Sequence, residues 1–479
     1  MSPFDFKNPM YCKADFINLC KKAGSFLVQM LRTPQYLFIG TAIYRIKNSK
    51  LRHLLYSLVR LGIVRSWRHF SFFESQPSFV HCVLELAPVK GPNGKTYYAQ
   101  GNNGQGIGQN LDDALRIALS ESLERYSQAT IPVSKLISGS FLSLNKNGAL
   151  SPNEFKYYSS GQLDGPEFMQ YSIDESTNID WVEASSFLEN DRRLVPAQLV
   201  YTLYDRVYVY EPRFRLNSSS GVAAGSTLET AQYRSICEAI ERDGFLIYWL
   251  NKLSPQRINL EHHSYLSEMI RGVQMQGFEI FVLNITTEIG LPSFACVMLD
   301  RSGPHAVAVD AIAGFDVEII IEKLILSTLR QMRSRDVSDP SAIIYKDPKT
   351  IYERSRLWSG VAMIDAIDFF LKGPSVNLED SFYPYVKHKY SLSEKVEKLR
   401  ELLLRQNMSC FLVDITHPVA DKAGLRVVRA IIPKLVPLFF SEHKKPLGID
   451  RLYSVPVQLG YLKEALKSQD LNSTPHPFL

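Results

Sequence analysis

The sequence predicts a mixed α/β (α+β) fold with a layered β-sheet, an internal duplication and a helical N-terminal extension. Three observations support this prediction. From about residue 76 onward, short β-rich runs alternate with longer stretches of helical periodicity, a pattern typical of sheets and helices packed in layers. One motif with fixed spacing occurs twice in the same region. Residues 1–70 have the amphipathic period of helices, interrupted at Pro34.

The individual elements follow from the same periodicities. Runs rich in β-branched and aromatic residues predict strands at 79–84, 207–210, 278–283, 293–299, 410–416 and 426–432. Apolar residues at helical spacing predict helices at 111–128, 227–251, 317–334 and 392–406. Residues 1–70 are predicted to form two or three helices with a turn at Asn48 and Ser49, and residues 373–391 a surface loop. The last residues, 472–479, are expected to be extended and mobile unless they dock.

The duplicated motif is the most informative feature of the chain. Residues 108–125 and residues 225–242 both read Gly-x-x-Leu-acid-x-Ala, then six residues, then Glu-x-x-Glu-Arg, with no insertion between the parts. Identical spacing over so many positions indicates that one structural unit has been duplicated.

Each copy of the motif places two carboxylates three residues apart, Glu121 and Glu124 in the first and Glu238 and Glu241 in the second. Side chains at this spacing share one face of a helix. Two such helices side by side would supply four carboxylates, which are ligands that hard divalent cations prefer. The alternative is a charged helix face stabilised by i,i+4 pairs with the motif arginines, worth ~0.3 kcal/mol each. The apolar surroundings and the gap-free duplication favour the functional interpretation.

Two glycine-rich segments lead into the motif helices. Residues 217–225 read Asn-Ser-Ser-Ser-Gly-Val-Ala-Ala-Gly, and residues 102–108 contain three glycines. Small residues before a helix let backbone N–H groups approach a phosphate, although such a loop is more often only a turn. The P-loop motif is absent from the sequence. Arg429, in a predicted strand before Pro433, is either an exposed edge-strand residue or a phosphate ligand, and the sequence alone favours the former.

Basic residues are concentrated at the N-terminus. Residues 1–70 contain twelve Lys or Arg and two Asp, so they carry +10 in a chain whose net charge is +5. This imbalance indicates a docking partner, a membrane surface or nucleic acid, or simply a solvated pair of helices. We therefore divide the chain into 1–75, a basic helical region for partner docking, and 76–479, the main domain.

Composition excludes several protein classes. The chain is 45% apolar and 22% charged, which is ordinary for a globular protein. The six cysteines lack zinc-binding spacing, no signal peptide is recognisable, and no apolar run is long enough to span a bilayer. We expect a cytoplasmic protein. Nucleic-acid binding is not supported, because the basic segment lacks interleaved aromatic stacking motifs and the rest of the chain is acidic.

Together the motifs resemble the YcaO family. Three separated blocks occur in the family's order and cover about residues 76–479. They are Gly-x-Gly-x5-Ala before the first Glu-x-x-Glu-Arg, Ser-x-Gly-x-Ala-x-Gly before the second at 219–243, and Asp-x-Thr followed by Val-x-Arg-x-x-x-Pro at 414–433. Ile107 stands where many relatives carry Lys. The basic N-terminal segment is not covered by the resemblance.

The resemblance implies a fold that binds ATP and Mg²⁺ without a P-loop, through the duplicated helices. Carried over by position, the metal ligands are Glu121, Glu124, Glu238 and Glu241. The implied nucleotide-binding residues are Ser218, Ser219, Gly225, Arg125 and Arg242, together with Glu121 and Glu238. Arg429 matches an arginine expected near the phosphates and is a candidate catalytic residue.

The implied activity is ATP-dependent cyclodehydration of Cys, Ser or Thr in a ribosomally made precursor peptide, which yields thiazoline or oxazoline as in bacteriocin biosynthesis. Relatives of this kind often end in Pro-x-Pro-x-Pro, with the terminal carboxylate near the chemistry. This chain ends Pro-His-Pro-Phe-Leu, so Leu479 replaces the last proline and its carboxylate is the candidate base. Formation of a thioamide or a macrocyclic amidine, and a non-catalytic ATP-binding scaffold, are the alternatives.

The resemblance also implies partners. The substrate would be the precursor peptide, and its leader would be bound by a separate protein similar to ubiquitin-activating enzymes. A flavin dehydrogenase that oxidises azoline to azole is a further possible partner. A second copy of the chain, forming a homodimer, is another.

Overall fold

The computed structural model describes residues 45–72, 77–98, 103–189, 191–209, 211–215, 218–303, 306–334 and 347–478. Its strands are β1 (Val64–Phe72), β2 (Phe79–Leu86), β3 (Val89–Lys90), β4 (Thr96–Tyr97), β5 (Asn103–Gly108), β6 (Ile137–Gly139), β7 (Ile179–Ser186), β8 (Arg192–Pro196), β9 (Val222–Gly225), β10 (Gln256–Asn259), β11 (Glu279–Asn284), β12 (Ser293–Asp300), β13 (Ala306–Ala313), β14 (Ser375–Asn377), β15 (Phe411–Asp414) and β16 (Arg426–Ile431). Its helices are α1 (Ser49–Arg60), α2 (Leu111–Ala129), α3 (Phe141–Leu144), α4 (Ser160–Leu163), α5 (Tyr204–Val207), α6 (Leu228–Leu250), α7 (Ser264–Met275), α8 (Val317–Ser334), α9 (Ile351–Leu357), α10 (Ala362–Ile367), α11 (Leu378–Lys387), α12 (Leu392–Arg405), α13 (Pro418–Lys422) and α14 (Arg451–Gln458).

The strands form three main sheets, as expected for a layered α/β (α+β) fold. The first is β1-β2-β5, the second β13-β12-β11-β10-β14, and the third β6-β7-β15-β16-β9 with β8 added to β7. Helix α2 packs on β5 and β2, whereas α6 packs on β9, β16 and β13. Helix α2 also contacts β9, so both motif helices pack against that strand.

The duplicated motif is a strand, a tight turn and a helix in both copies. Asn110 and Thr227 cap α2 and α6, each accepting a hydrogen bond from a backbone N–H in the first helical turn. A Cβ on Gly108 would lie 2.6 Å from the backbone N of Ala114, and one on Gly225 would lie 2.5 Å from that of Ala231. The motif glycine is therefore required because the strand runs against the first turn of the helix.

Four predicted helices and most predicted strands are confirmed within one or two residues. Helices α2, α6, α8 and α12 and strands β2, β11, β12, β15 and β16 occupy the predicted ranges. Among the described residues, no helix is long and apolar enough to cross a membrane.

Three local predictions are wrong. Residues 64–70 are not helical, because β1 pairs antiparallel with β2, with Trp67 opposite Leu84. This pairing crosses the predicted boundary between residues 75 and 76. Within the same prediction, α1 is helical as expected, and residues 1–44 lie outside the described residues. Residues 207–209 are not a strand, because helix α5 runs from Tyr204 to Val207. The Tyr204 hydroxyl lies 2.8 Å from a carboxylate oxygen of both Asp180 and Glu211.

The third wrong prediction is the surface loop at 373–391. Residues 375–377 form β14, which pairs in parallel with β10. Helix α11 follows and is kinked at Phe382, two residues before Pro384. Leu378 and Phe382 are buried in the second hydrophobic cluster, so tertiary packing overrides the loop-like composition.

Candidate functional site

The motif carboxylates lie where helices α2 and α6 approach each other. Glu121 accepts the backbone N–H of Gln105 at 2.8 Å and binds Arg125, with 2.6 Å between its Oε1 and Nη2 of the arginine. Glu238 binds Arg242 in the same way at 3.0 Å. The i,i+4 ion pairs expected from the sequence therefore form in both copies.

Glu124 connects the two halves of the duplication. Its Oε2 accepts a hydrogen bond from the backbone N–H of Ala224 on β9 at 3.0 Å. Burial raises the pKa of Glu124 well above its usual value, and the negative charges of Glu238 and Glu121 raise it further. Burial also raises the pKa of Glu238, although nearby arginines oppose this shift. The fold thus crowds carboxylates from both motif helices into one poorly solvated place.

The carboxylates of this group are chemically suited to a divalent cation, although in this structure most of them are paired with arginines. Within the described ranges, no three His, Cys, Asp or Glu side chains form a ready-made metal cluster. Arg125 pairs with Glu121, and Arg242 pairs with both Glu238 and Glu241. Carboxylate oxygens are the ligands that Mg²⁺ prefers, and a cation would relieve the repulsion that raises the pKa of Glu124. The metal-ligand role of the four glutamates stays a prediction.

An arginine-lined pocket lies beside the second motif helix. It is lined by Arg215, Arg242 and Arg429 together with Ser220 and Tyr157. Arg429 is 1% exposed, and burial followed by the charge of Arg215 lowers the pKa of its guanidinium. An arginine remains charged in proteins, so burial leaves this guanidinium poorly solvated, and a bound anion would offset that cost.

Arg429 is therefore not an edge-strand residue, contrary to the interpretation that the sequence alone favours. Strand β16 lies between β15 and β9 inside the third sheet. The Nη1 of Arg429 donates to the carbonyl of Ser218 at 2.9 Å, while its Nε is buried without a hydrogen-bond partner. A buried donor without a partner is costly, so this side chain too is poised for an acceptor in the pocket.

The serine-rich segment forms the turn that leads into β9. The carbonyl of Ser219 accepts the N–H of Val222 at 3.2 Å. Gly221 has a φ of +79°, and a Cβ there would lie 2.9 Å from the carbonyl oxygen of Ala430. Gly225 packs against the start of α6. Ser218 and Gly225 thus shape the backbone, whereas the buried Ser220 hydroxyl lines the pocket.

Three of the polar residues that line the pocket were not predicted from the sequence. Ser220 directly follows the candidates Ser218 and Ser219 in the same turn, so it could have been predicted with them. Arg215 and Tyr157 had no such signal, because Tyr157 comes from a segment far away in sequence and stacks under the Arg215 guanidinium at 5.3 Å.

The C-terminal tail is docked through Phe478, which lies beside the second motif helix. Pro475, His476, Pro477 and Phe478 are buried. The Phe478 ring packs on Phe245 with centroids 4.9 Å apart, and the guanidinium carbon of Arg242 lies 4.2 Å from its centroid. Leu479, the candidate base, lies outside the described residues.

Comparisons with known proteins agree with this architecture. An uncharacterized protein of Methanothermobacter thermautotrophicus is 22% identical over 271 residues, covering 55% of this chain and 67% of that protein. A solved heterocyclase in complex with substrate and cofactor superposes with a TM-score of 0.71 at 22% identity, over 90% of this chain. The present chain spans only 57% of that heterocyclase. YcaO from Methanopyrus kandleri, bound with AMPPCP and Mg²⁺, superposes with a TM-score of 0.59 at 16% identity, over 82% of this chain and 92% of that one.

At these identities the solved structures show the fold. The family itself is shown by its profile, described as YcaO cyclodehydratase with ATP and Mg²⁺ binding, which matches residues 105–436. That range contains both motif copies, the arginine pocket and Arg429. The chain therefore belongs to the YcaO cyclodehydratase family, whose ligands are ATP and Mg²⁺.

Proposed function

We propose that this protein catalyses ATP-dependent cyclodehydration of Cys, Ser or Thr in a ribosomally made precursor peptide. The observation that supports it best is the arginine pocket lying directly beside crowded carboxylates on the same helix. Arg242 and Glu238 sit one turn apart on α6 and are ion-paired. A phosphate chain needs positive charge at its oxygens, and Mg²⁺ needs carboxylates next to them, so the two neighbouring groups suit one nucleotide.

The reaction solves the problem that a backbone amide is a poor electrophile. The thiol or hydroxyl of the peptide loses its proton and adds to the preceding carbonyl carbon, which becomes tetrahedral and carries an oxyanion. The former carbonyl oxygen then accepts the γ-phosphoryl group, and ADP leaves. Loss of the amide proton and departure of inorganic phosphate form the C=N bond of a thiazoline or oxazoline. The net change in the peptide is the loss of one water.

Each group of the site has a proposed part in these steps. Glu121, Glu124, Glu238 and Glu241 would hold Mg²⁺, which when bound neutralises charge on the phosphoryl oxygens. Arg429 and Arg242 would bind phosphate oxygens, and the buried Ser220 hydroxyl would donate to them. Arg125 would keep Glu121 oriented through its short ion pair. Ser218, Ser219 and Gly225 would form the backbone wall next to the nucleotide.

The base that removes the amide proton is proposed to be the terminal carboxylate of Leu479. Phe478, the residue before it, lies against Arg242. The substrate itself supplies the nucleophile, so the enzyme needs no Ser-His-Asp or Cys-His set.

The proposal is tested by mass spectrometry of a precursor peptide encoded beside the gene of this protein. The peptide is incubated with the protein, its leader-binding partner, ATP and Mg²⁺. We expect the loss of one water per modified residue, dependent on ATP and abolished by Glu238→Gln. Glu229→Gln is the matched control, since Glu229 is an exposed residue of the same helix. An oxygen-to-sulfur mass change with a sulfide source would reassign the chemistry to thioamidation. Tight nucleotide binding without any mass change would reject catalysis.

The assembly and location are also proposals. We expect the leader peptide to be bound by a separate protein similar to ubiquitin-activating enzymes, with the basic N-terminal region as the contact. A flavin dehydrogenase would act later if azoline is oxidised to azole, and the whole assembly would work in the cytoplasm.

A further inference from the structure

Three consecutive carbonyl groups of the C-terminal tail are each held by a different buried side chain. The Nε1 of Trp249 donates to Thr474 O at 3.1 Å. The Nε1 of Trp358 donates to Pro475 O at 3.1 Å, and the Nη1 of Arg354 donates to His476 O at 2.7 Å. We call Trp249, Trp358 and Arg354 the tail clamp.

The tail clamp is also held by contacts outside the tail. Its three side chains are fully buried, and the two indole rings pack edge to face with centroids 5.5 Å apart. Arg354 also donates to the carbonyl of Phe440 at 2.7 Å and pairs with Glu442 at 3.3 Å. The Arg354 guanidinium is therefore bound by Phe440 and Glu442 as well as by the tail. These additional contacts hold it in place where it binds the tail.

The tail's own sequence complements these donors. Pro475 and Pro477 have no backbone N–H, so at these two positions a buried path has only carbonyls to satisfy. The side chain of His476 is anchored too, since its Nε2 lies 2.6 Å from the carbonyl oxygen of Phe439. The path thus favours this register of the tail, because a shift by one residue would place a backbone N–H where a proline now stands.

The register held by the tail clamp determines where Phe478 lies. Phe478 follows the last clamped carbonyl by two residues, and its ring covers the guanidinium of Arg242. Arg242 in turn pairs with Glu238 and Glu241. A mechanical connection therefore runs from the clamp, through the tail, to the motif carboxylates.

We infer that Trp249, Trp358 and Arg354 are positioning residues that hold the tail in register against Arg242. Their effect on turnover rests on the proposed function, whereas their hold on the tail does not. The experiment therefore has two readouts: hydrogen–deuterium exchange of the C-terminal peptide, and the steady-state kinetics of peptide modification in the full protein.

The variants are Trp358→Phe, which keeps the ring and removes one donor, and Arg354→Lys, which keeps the charge. Trp181→Phe is the matched control, because Trp181 is also fully buried and donates its Nε1 to a carbonyl, that of Gly139, at 2.9 Å. We expect each clamp variant to exchange its tail amides about tenfold faster than the control, since a buried hydrogen bond is lost. We also expect a lower kcat with little change in KM for ATP.

Each outcome decides the inference. Tail exchange equal to that of the Trp181→Phe protein would overturn the clamp. Faster exchange with unchanged kcat would overturn its positioning role and leave the proposed function standing. If the wild-type protein modifies no peptide, the proposed function fails, and the exchange readout still decides whether the clamp holds the tail. Should Arg354→Lys fail to fold, Trp358→Phe supplies both readouts.

Discussion

Glu124 on the first motif helix accepts a hydrogen bond from the backbone N–H of Ala224, on the strand that precedes the second motif helix, at 3.0 Å. One carboxylate thereby joins the two halves of the duplication and is also crowded by the negative charges of Glu238 and Glu121. The two roles of Glu124 have different requirements, because the hydrogen bond needs only an acceptor oxygen whereas metal binding needs a negative charge. Substitutions of Glu124 can therefore distinguish the hydrogen bond from metal binding.

Glu124→Gln should keep the protein folded and weaken Mg²⁺-ATP binding. The amide oxygen still accepts from Ala224, and the loss of a buried negative charge relieves repulsion. We expect the free energy of unfolding of the nucleotide-free protein to be unchanged or higher, with at least about a tenfold loss in affinity for Mg²⁺-ATP. Thermal unfolding and isothermal titration calorimetry measure the two effects.

Glu124→Leu serves as the contrast to that variant. It leaves the Ala224 N–H without an acceptor, so unfolding should become easier by about 1–3 kcal/mol. Equal stability of the Gln and Leu variants would argue against the hydrogen bond as the link between the halves.

Arg429→Gln should remove the stabilisation that phosphate anions give. Burial and the neighbouring Arg215 lower the pKa of Arg429, so an anion in the pocket should raise the melting temperature of the wild-type protein. We expect pyrophosphate to have little effect on the variant. Arg426→Gln is the control, since Arg426 lies on the same strand and is exposed. A pyrophosphate response retained in Arg429→Gln would mean that the anion binds elsewhere.

The two motif glycines should be intolerant of even a methyl group. Gly108→Ala and Gly225→Ala would each bring a Cβ to about 2.6 Å or less from a backbone nitrogen at the start of the following helix. The backbone must shift to relieve this contact, so each should cost about 1–3 kcal/mol of unfolding free energy. Chemical denaturation measures it. Gly161→Ala is the matched control, because a Cβ there meets nothing within 4 Å, and a loss of stability in this control alone would contradict the steric argument.

The motif helices and their carboxylates were predictable because the signals are local. Periodicity, a capping residue such as Asn110 or Thr227, and the repeated spacing all lie within a short stretch of chain. The pocket and the tail clamp were not, because their members are distant in sequence. Arg354 meets His476 across 122 residues, and Trp249 meets Thr474 across 225. Contacts at such separation leave no pattern along the chain.

The wrong local predictions have the same origin. In β1, the basic residues Arg65 and Arg68 face solvent while Val64 and Trp67 are buried. The charge count of the segment suggested a basic helix, whereas pairing with β2 determined its structure. The basic residues reflect only the exposed face of this segment. Its conformation is determined by pairing with β2, which buries the apolar face.

The tail should loosen as the pH falls below about 6.5. His476 is fully buried, and desolvation followed by the charge of Arg354 holds its pKa well below the usual value. Lys445 opposes protonation as well, while the carbonyl of Phe439 favours it, and Glu442 is paired with Arg354 on the same side. The docked histidine therefore stays neutral, whereas an undocked one takes up a proton below its ordinary pKa of about 6.5. Docking weakens by up to about tenfold per pH unit below that value.

Hydrogen exchange of the C-terminal peptide at pH 7.5 and pH 5.5, corrected for the intrinsic rate, measures this loosening. His476→Gln keeps a donor for Phe439 and has no titrating group, so it should show no such pH dependence. An equal pH dependence in both proteins would assign the effect to another group.

Deletion of the basic N-terminal region should leave nucleotide binding intact only if the deletion stops at residue 44. Deleting residues 1–44 removes the start of the basic segment and leaves α1 and β1 intact. Deleting residues 1–70 also removes Leu55, Leu58 and Trp67, which are buried in the main core, and the β1 strand paired with β2. We expect the shorter deletion to abolish co-purification with the leader-binding partner while ATP affinity is unchanged. We expect the longer deletion to lower the melting temperature. Co-purification that survives the shorter deletion would place the contact elsewhere. Charge reversal of the exposed residues Arg65 and Arg68 on β1 would then be the next test.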